Sequence, residues 1–160
     1  MDWKFCYTLP YNITRDTNLQ SLQYRIIHRI FPCNYWLSKW KVDIDNKCDY
    51  CDKIDYLEHY FYDCTSLSIF WNGLKKWWLN NLECSFNLEA KDVLFGICNA
   101  FNDIMIDIIK YCILNAKQYI VNCRKGNKEP DLFDYLFFIK NRLEIEILYY
   151  KLNNREKMKC

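Results

Sequence analysis

Four side chains near the middle of the chain are donors of the kind that bind soft or borderline metal ions: Cys48, Cys51, His59 and Cys64, spaced C-x2-C-x7-H-x4-C. Three thiolates and an imidazole make up a tetrahedral zinc site of the Cys3His type. The C-x2-C pair forms a tight knuckle that aims both sulfurs at one point, and His59 and Cys64 close the tetrahedron from the segment that follows. All four positions are filled by the protein, so the spacing predicts one structural zinc and no open coordination site for chemistry. The bland alternative is a buried histidine among reduced cysteines. It would suffice for a lone C-x2-C, and a redox C-x2-C would need a thioredoxin-like βαβ context that the sequence lacks. One constraint follows from helix geometry. Five residues of an α-helix turn through about 500°, which leaves His59 and Cys64 roughly 140° apart. The helix beginning at Leu57 must therefore end or distort before Cys64; the expected end is near Asp63, with Thr65-Ser66 capping the next helix.

The elements that hold this cluster read as helices. Of 160 residues, 51% are hydrophobic and only 26% charged, which excludes a disordered chain, and the length suits one compact domain. Glycine and proline number three each, too few for phosphate-cradling loops or a strand-dense sandwich. The expected fold is mostly α, a helical domain with a small zinc-knuckle insert. Its segments are a basic helical part at 1–41, the knuckle and following helix at 42–82, a helical part at 83–152 and a frayed tail at 153–160.

Leu19, Leu22, Ile26, Ile27 and Ile30 share one face of a helix from Asp16 to Phe31, capped by Asp16 or Thr17 and ended by Pro32. A shorter amphipathic piece covers Tyr35 to Trp40. Phe70, Trp71, Leu74, Trp77 and Trp78 mark a buried helix from Leu67 to Leu79, with Ser66 as cap. Val93 to Gly96 fits a strand or a loop equally. Phe101 to Ile120 marks the longest helix, with Asp103, Asp107, Lys110 and Lys117 on its polar face and Gly126 at its end. Asp131 opens a last segment with Leu136, Phe137, Leu143, Ile147 and Tyr150 on one side. Ten cysteines invite a disulfide reading, but most lie among apolar residues, as Cys98 and Cys112 do, and behave as small hydrophobes. The start of the chain has no secretory pattern and no stretch reads as a membrane span, so the expected location is intracellular, nucleus or cytoplasm.

The net charge of +2 does not itself announce a nucleic-acid partner, but the charge is uneven. Between Arg15 and Lys41, five basic residues face the single acid Asp16; between Val42 and Cys64, seven acids face two lysines. An acidic zinc loop repels phosphates, so the zinc folds the loop rather than reading bases. The better phosphate candidates are Arg25 and Arg29, one turn apart on the first helix, with Lys39 and Lys41; Tyr35, Trp36 and Trp40 lie among them and can stack on unpaired bases. His28 is either structural or a neighbour in the same contact. A solvated helix face over aromatic core residues explains these residues equally well.

A family resemblance lies in these residues. The run from Thr14 to Ile30 (TRDTNLQSLQYRIIHRI), then Asn34 and Leu37, then the cysteine cluster with Leu57-Glu58-His59 and Cys64, then Phe70-Trp71, resembles the zinc-binding region that follows the polymerase in reverse transcriptases of non-LTR retrotransposons. The similarity spans residues 8–71 and extends loosely to Lys140-Asn141-Arg142-Leu143-Glu144, similar to the family's terminal helix. It implies that Cys48, Cys51, His59 and Cys64 bind zinc, and that the region helps a reverse transcriptase polypeptide hold element RNA or target DNA. Polymerase activity is not implied, because the chain has no adjacent aspartate pair to position magnesium. Two other readings stay open. One is a zinc-stapled module that docks on a protein through Trp71, Trp77 and Trp78, without nucleic acid or small-molecule substrate. The other is a restriction-like nuclease remnant, from Pro130-Asp131 and Glu144, although the helical repeat there favours a cap role for Asp131.

Overall fold

The computed structural model describes residues 3–40, 43–85, 87–96 and 104–157, with side chains through residue 151. Lys41, Cys98, Phe101 and Asp103 lie outside the described residues. The elements in chain order are α1 (Trp3–Ile13), α2 (Thr17–Ile27), α3 (Asn34–Lys39), β1 (Lys47–Cys48), β2 (Cys51–Ile54), a π-helical turn (His59–Asp63), α4 (Thr65–Leu82), α5 (Ala90–Phe95), α6 (Ile104–Lys125) and α7 (Leu132–Lys157). The fold is mostly α, and β1 and β2 form the only sheet among the described residues, a two-stranded antiparallel hairpin.

The central element is α6, whose buried residues run around most of its circumference, so it packs against α1, α2, α5 and α7 rather than lying on the surface. One hydrophobic cluster connects it to Leu22 and Ile26 of α2, Phe70, Trp71 and Trp78 of α4, Val93 to Phe95 of α5 and Tyr135 of α7. The same cluster takes in Cys48, Phe61 and Cys64, so the cysteine knuckle is part of the core and not an appendage.

Several expected elements differ in detail. The helix α1 precedes the first one expected; it buries Cys6, Leu9 and Pro10 one turn apart, and Pro10 lies inside it without an amide to donate to the carbonyl four residues earlier. Asp16 is the cap of α2, accepting from the Asn18 amide at 2.8 Å. That helix closes at Ile27, well before Pro32. The closure places Arg29 in the left-handed region (φ 55), with its amide bonded to the Ile26 carbonyl at 3.0 Å and the Ile30 amide to the Arg25 carbonyl at 3.0 Å. Val93 to Phe95 are helical, held by a capping box in which Glu89 and Asp92 satisfy each other's backbone amides. Gly96 follows at φ 92, where a side chain would meet Leu9 of α1.

Ser66 does not cap α4, which starts from Cys64 itself. The residue that turns the chain after α6 is Asn127 (φ 50), not Gly126, with the Lys128 amide on the Cys123 carbonyl at 2.9 Å. Among the described residues the longest helix is α7, which continues to Lys157 through the expected tail. Asp131 caps it, accepting from the Phe133 and Asp134 amides at 2.8 and 3.1 Å. It seats itself through Tyr135 and Ile139, whereas Phe137, Leu143, Ile147 and Tyr150 of the expected apolar side are exposed.

Of the polar face expected on α6, Asp107 is exposed but both lysines are buried. Lys110 is 7% exposed and lies over the Phe5 ring while bonded to Asp107. Lys117 is 2% exposed and donates to Gln23 of α2, whose own amide donates to the Leu94 carbonyl at 2.8 Å. Burial pulls the Lys117 ammonium down to about 7. Above that value the folded protein binds fewer protons than the unfolded chain, so this group makes stability rise with pH until an ordinary lysine would also deprotonate. Denaturant midpoints of the wild type are expected to gain between about pH 7 and about pH 9 an increment that Lys117→Met lacks. Equal pH dependence in the two proteins would show that Lys117 ionises normally in the fold.

Candidate metal centre

The hairpin supplies the first two donors. Cys48 ends β1 and Cys51 begins β2, paired across the two-residue turn Asp49-Tyr50, with the Tyr50 amide 3.5 Å from Cys48 Sγ. The second pair comes from a distorted helix. Residues 57 and 58 are α-helical and His59–Asp63 widen into a π turn, after which Cys64 is extended (φ −65, ψ 135). A π turn closes i→i+5 instead of i→i+4 and so brings residues five apart toward one face, which is the relation of His59 to Cys64. The distortion resolves the angular conflict that an α-helix would impose. Its backbone is satisfied from outside, the Trp71 indole donating to the Phe61 carbonyl at 2.9 Å.

The four donor atoms lie within 4.8 Å of one another. Cys48 Sγ is 3.7 Å and Cys51 Sγ 3.9 Å from Cys64 Sγ, and Cys51 Sγ is 3.2 Å from His59 Nε2. Metal–sulfur bonds of about 2.3 Å in a tetrahedron imply sulfur–sulfur edges of about 3.8 Å, so the two measured edges fit a four-coordinate ion. The cluster can hold one metal ion. Cys48, His59 and Cys64 are buried and Cys51 is half-buried. Burial, with Arg124 and Lys53 adding like-charge repulsion, holds the His59 imidazole below its ordinary value, in the neutral form that a metal requires. The Ser66 hydroxyl lies 3.1 Å from Cys64 Sγ, at the positive end of α4's dipole, where sulfur charge is favourable.

The decisive neighbour is one the sequence did not single out. Arg124, in the last turn of α6, places Nη1 3.5 Å from Cys48 Sγ and 3.8 Å from Asp55 Oδ1, with side chains of Arg124 and Asp55 only 7% and 2% exposed. The guanidinium lies 5.2 Å from the Tyr50 ring and 4.4 Å from the Tyr60 ring. Burial alone would lower its pKa, but the hydrogen bond to Cys48 and the charges of Cys48, Asp55 and Cys64 outweigh that and raise it. Asp55 in turn accepts from the Asn34 amide at the start of α3 (3.0 Å), and the Asn34 side chain donates to the Lys47 carbonyl at 2.8 Å. Hairpin, α3 and α6 are therefore locked through one ion pair. A basic residue at a helix C-terminus reads in sequence as a dipole partner, so nothing marks Arg124 in advance.

The residues expected to touch nucleic acid separate into two groups. Arg25 is half-buried with its guanidinium 5.9 Å from the Phe31 ring. Arg29 is not one turn further along the same helix face, because α2 has already closed; it reaches Glu58 at 3.5 Å. His28 packs against Tyr24 and Tyr7. On α3, Tyr35 lies 4.6 Å from Tyr56 with Lys39 over it, and Trp36 stacks on exposed Trp40. Among the described residues no hydrogen bond or ring contact joins the two groups. Trp71 and Trp78 are buried and Trp77 partly buried, so the expected tryptophan docking face is not open. Asp131 is a helix cap and Glu144 lies roughly 20 Å further along α7 at about 1.5 Å per residue, so the structure does not bring these two acids together. No helix among the described residues is long and apolar enough to cross a membrane.

Compared with known protein families, curated proteins and solved structures, the chain matches none.

Arg124→Ala strands Asp55 as a buried charge without its partner and is expected to lower unfolding stability by about 3 to 5 kcal/mol in denaturant titration. A loss no larger than about 0.5 kcal/mol, the usual cost of an exposed substitution, would show that the pair does not hold the hairpin to α6.

Proposed function

We propose that Cys48, Cys51, His59 and Cys64 bind one structural zinc ion, and that the chain is a non-catalytic zinc-binding domain of the kind it resembles, the C-terminal region of a non-LTR retrotransposon reverse transcriptase, where it holds RNA or DNA in support of the polymerase. The observation that carries the metal reading is the convergence of four donors, from a hairpin and a π turn, with tetrahedral edges. A three-thiolate, one-imidazole set suits zinc among the common divalent ions. Zinc with three thiolates carries one net negative charge, which Arg124 offsets at 3.5 Å. With every donor supplied by the protein, the ion's role is to fold the hairpin.

The nucleic-acid reading rests on the resemblance and on the excess of basic over acidic residues in the first 41 positions. Burial of Trp71 and Trp78 removes the docking face that favoured the rival protein-binding module. One observation still favours that rival: α7 leaves Phe133, Phe137, Ile145 and Tyr150 exposed.

Purified protein is expected to carry one zinc per chain by elemental analysis. Cys51→Ser is expected to lose the metal and to lower the thermal midpoint by circular dichroism, since the binding energy of a structural zinc is folding energy. Full-length folded protein with reduced cysteines and no zinc would contradict the metal reading. Binding to labelled RNA and duplex DNA should weaken steeply with salt; no binding even at low salt would contradict the nucleic-acid reading and favour the docking module.

A further inference from the structure

Four rings from two helices form one exposed row, of which the expected contact set included only His28. Trp3 and Tyr7 lie one turn apart on α1 with centroids 6.5 Å apart; Tyr7 is 5.4 Å from the His28 ring at the end of α2, and His28 is 4.2 Å from Tyr24. The row is open to solvent, with Trp3, Tyr7 and Tyr24 at 51%, 42% and 50% exposure and His28 also exposed. It is held in place from beneath. Trp3 packs edge-on against Phe95 at 5.8 Å, while Leu9 of α1 and Ile27 of α2 are buried. A packed core that leaves this much ring surface in water has kept it for something flat.

Charge selects the partner. Lys4, on the neighbouring turn of Tyr7, is exposed, and the single acid between residues 3 and 40, Asp16, is ion-paired with Arg142 of α7. The face therefore presents π surface and positive charge with no free carboxylate from its own segment. That pairing fits a strand with unstacked bases and a phosphate backbone, whereas a duplex hides its base faces and offers such rings nothing to stack on.

We propose that the Trp3–Tyr7–His28–Tyr24 row is a stacking platform for single-stranded RNA or DNA, with Lys4 contacting a phosphate. The proposal rests on the reading that this chain handles nucleic acid and names the face and the strandedness.

The test uses the full zinc-loaded chain and fluorescence anisotropy with a short labelled oligouridylate, an oligothymidylate, a duplex of the same length and anionic phospholipid vesicles. The single strands are expected to bind more tightly than the duplex. Tyr24→Ala and Trp3→Ala are each expected to weaken single-strand binding by about fivefold to a hundredfold, the usual loss per stacked base, while Tyr24→Phe keeps it. Zinc content and thermal midpoint, measured on every variant, should stay at wild-type values, because both residues are about half exposed. Single-strand binding that is unchanged in both alanine variants would overturn the platform and leave the nucleic-acid reading standing. Preference for the duplex would also overturn the platform. Binding of vesicles with no oligonucleotide bound would overturn both the platform and the reading beneath it.

Discussion

A single guanidinium joins the two halves of this structure. Arg124 comes from the most buried helix, yet its charge faces Cys48 Sγ and Asp55 in the hairpin. A buried cation is tolerated only with partners of opposite charge, and Arg124 has both a carboxylate and a sulfur that becomes anionic on binding metal. Each side depends on the other. The hairpin buries little apolar surface of its own, since β2 is almost entirely exposed and only Cys48 of β1 is buried. A two-stranded hairpin of this size is not stable alone. The ion pair and the two tyrosine rings around it hold it against α6, and the four converging donors bring it together with the π turn.

The π turn serves the same end from the other side. His59 must face the hairpin while Phe61 enters the core, 4.9 Å from the Phe31 ring, and Cys64 must face the donors while starting α4. An α-helix cannot present residues 59 and 64 together, and a loop would leave the Phe61 carbonyl without its place in the core. Widening the turn meets both demands, and the Trp71 indole takes up the Phe61 carbonyl. Trp71 is thus a support for the ligand segment, which is why it is buried rather than offered as a docking surface.

Much of this was legible in the chain. The donor set, the break near Asp63 and the apolar faces of α2 and α4 follow from spacing and period, because each is a local rule. What was not legible depends on tertiary placement. Lys117 occupies a position that helical periodicity assigns to solvent, but α6 is surrounded, so the lysine is buried against Gln23. Arg29 follows Arg25 by one turn in the pattern, but α2 closes before reaching it and Arg29 is itself the left-handed residue of the closure. In α7 the apolar residues are spread around the helix, so no period identifies the narrow face through Tyr135 and Ile139 that seats it. The helix α1 was hidden by Pro10, and the aromatic row it completes was hidden with it.

The central claim is that three sulfurs and one imidazole nitrogen close around one zinc ion beside Arg124. X-ray absorption at the zinc edge on the purified protein tests it most directly. The expected first shell has three sulfur scatterers at about 2.3 Å and one nitrogen at about 2.0 to 2.1 Å, with no oxygen. A shell containing oxygen donors, or fewer than three sulfurs, would contradict the closed site and with it the structural role assigned to the ion.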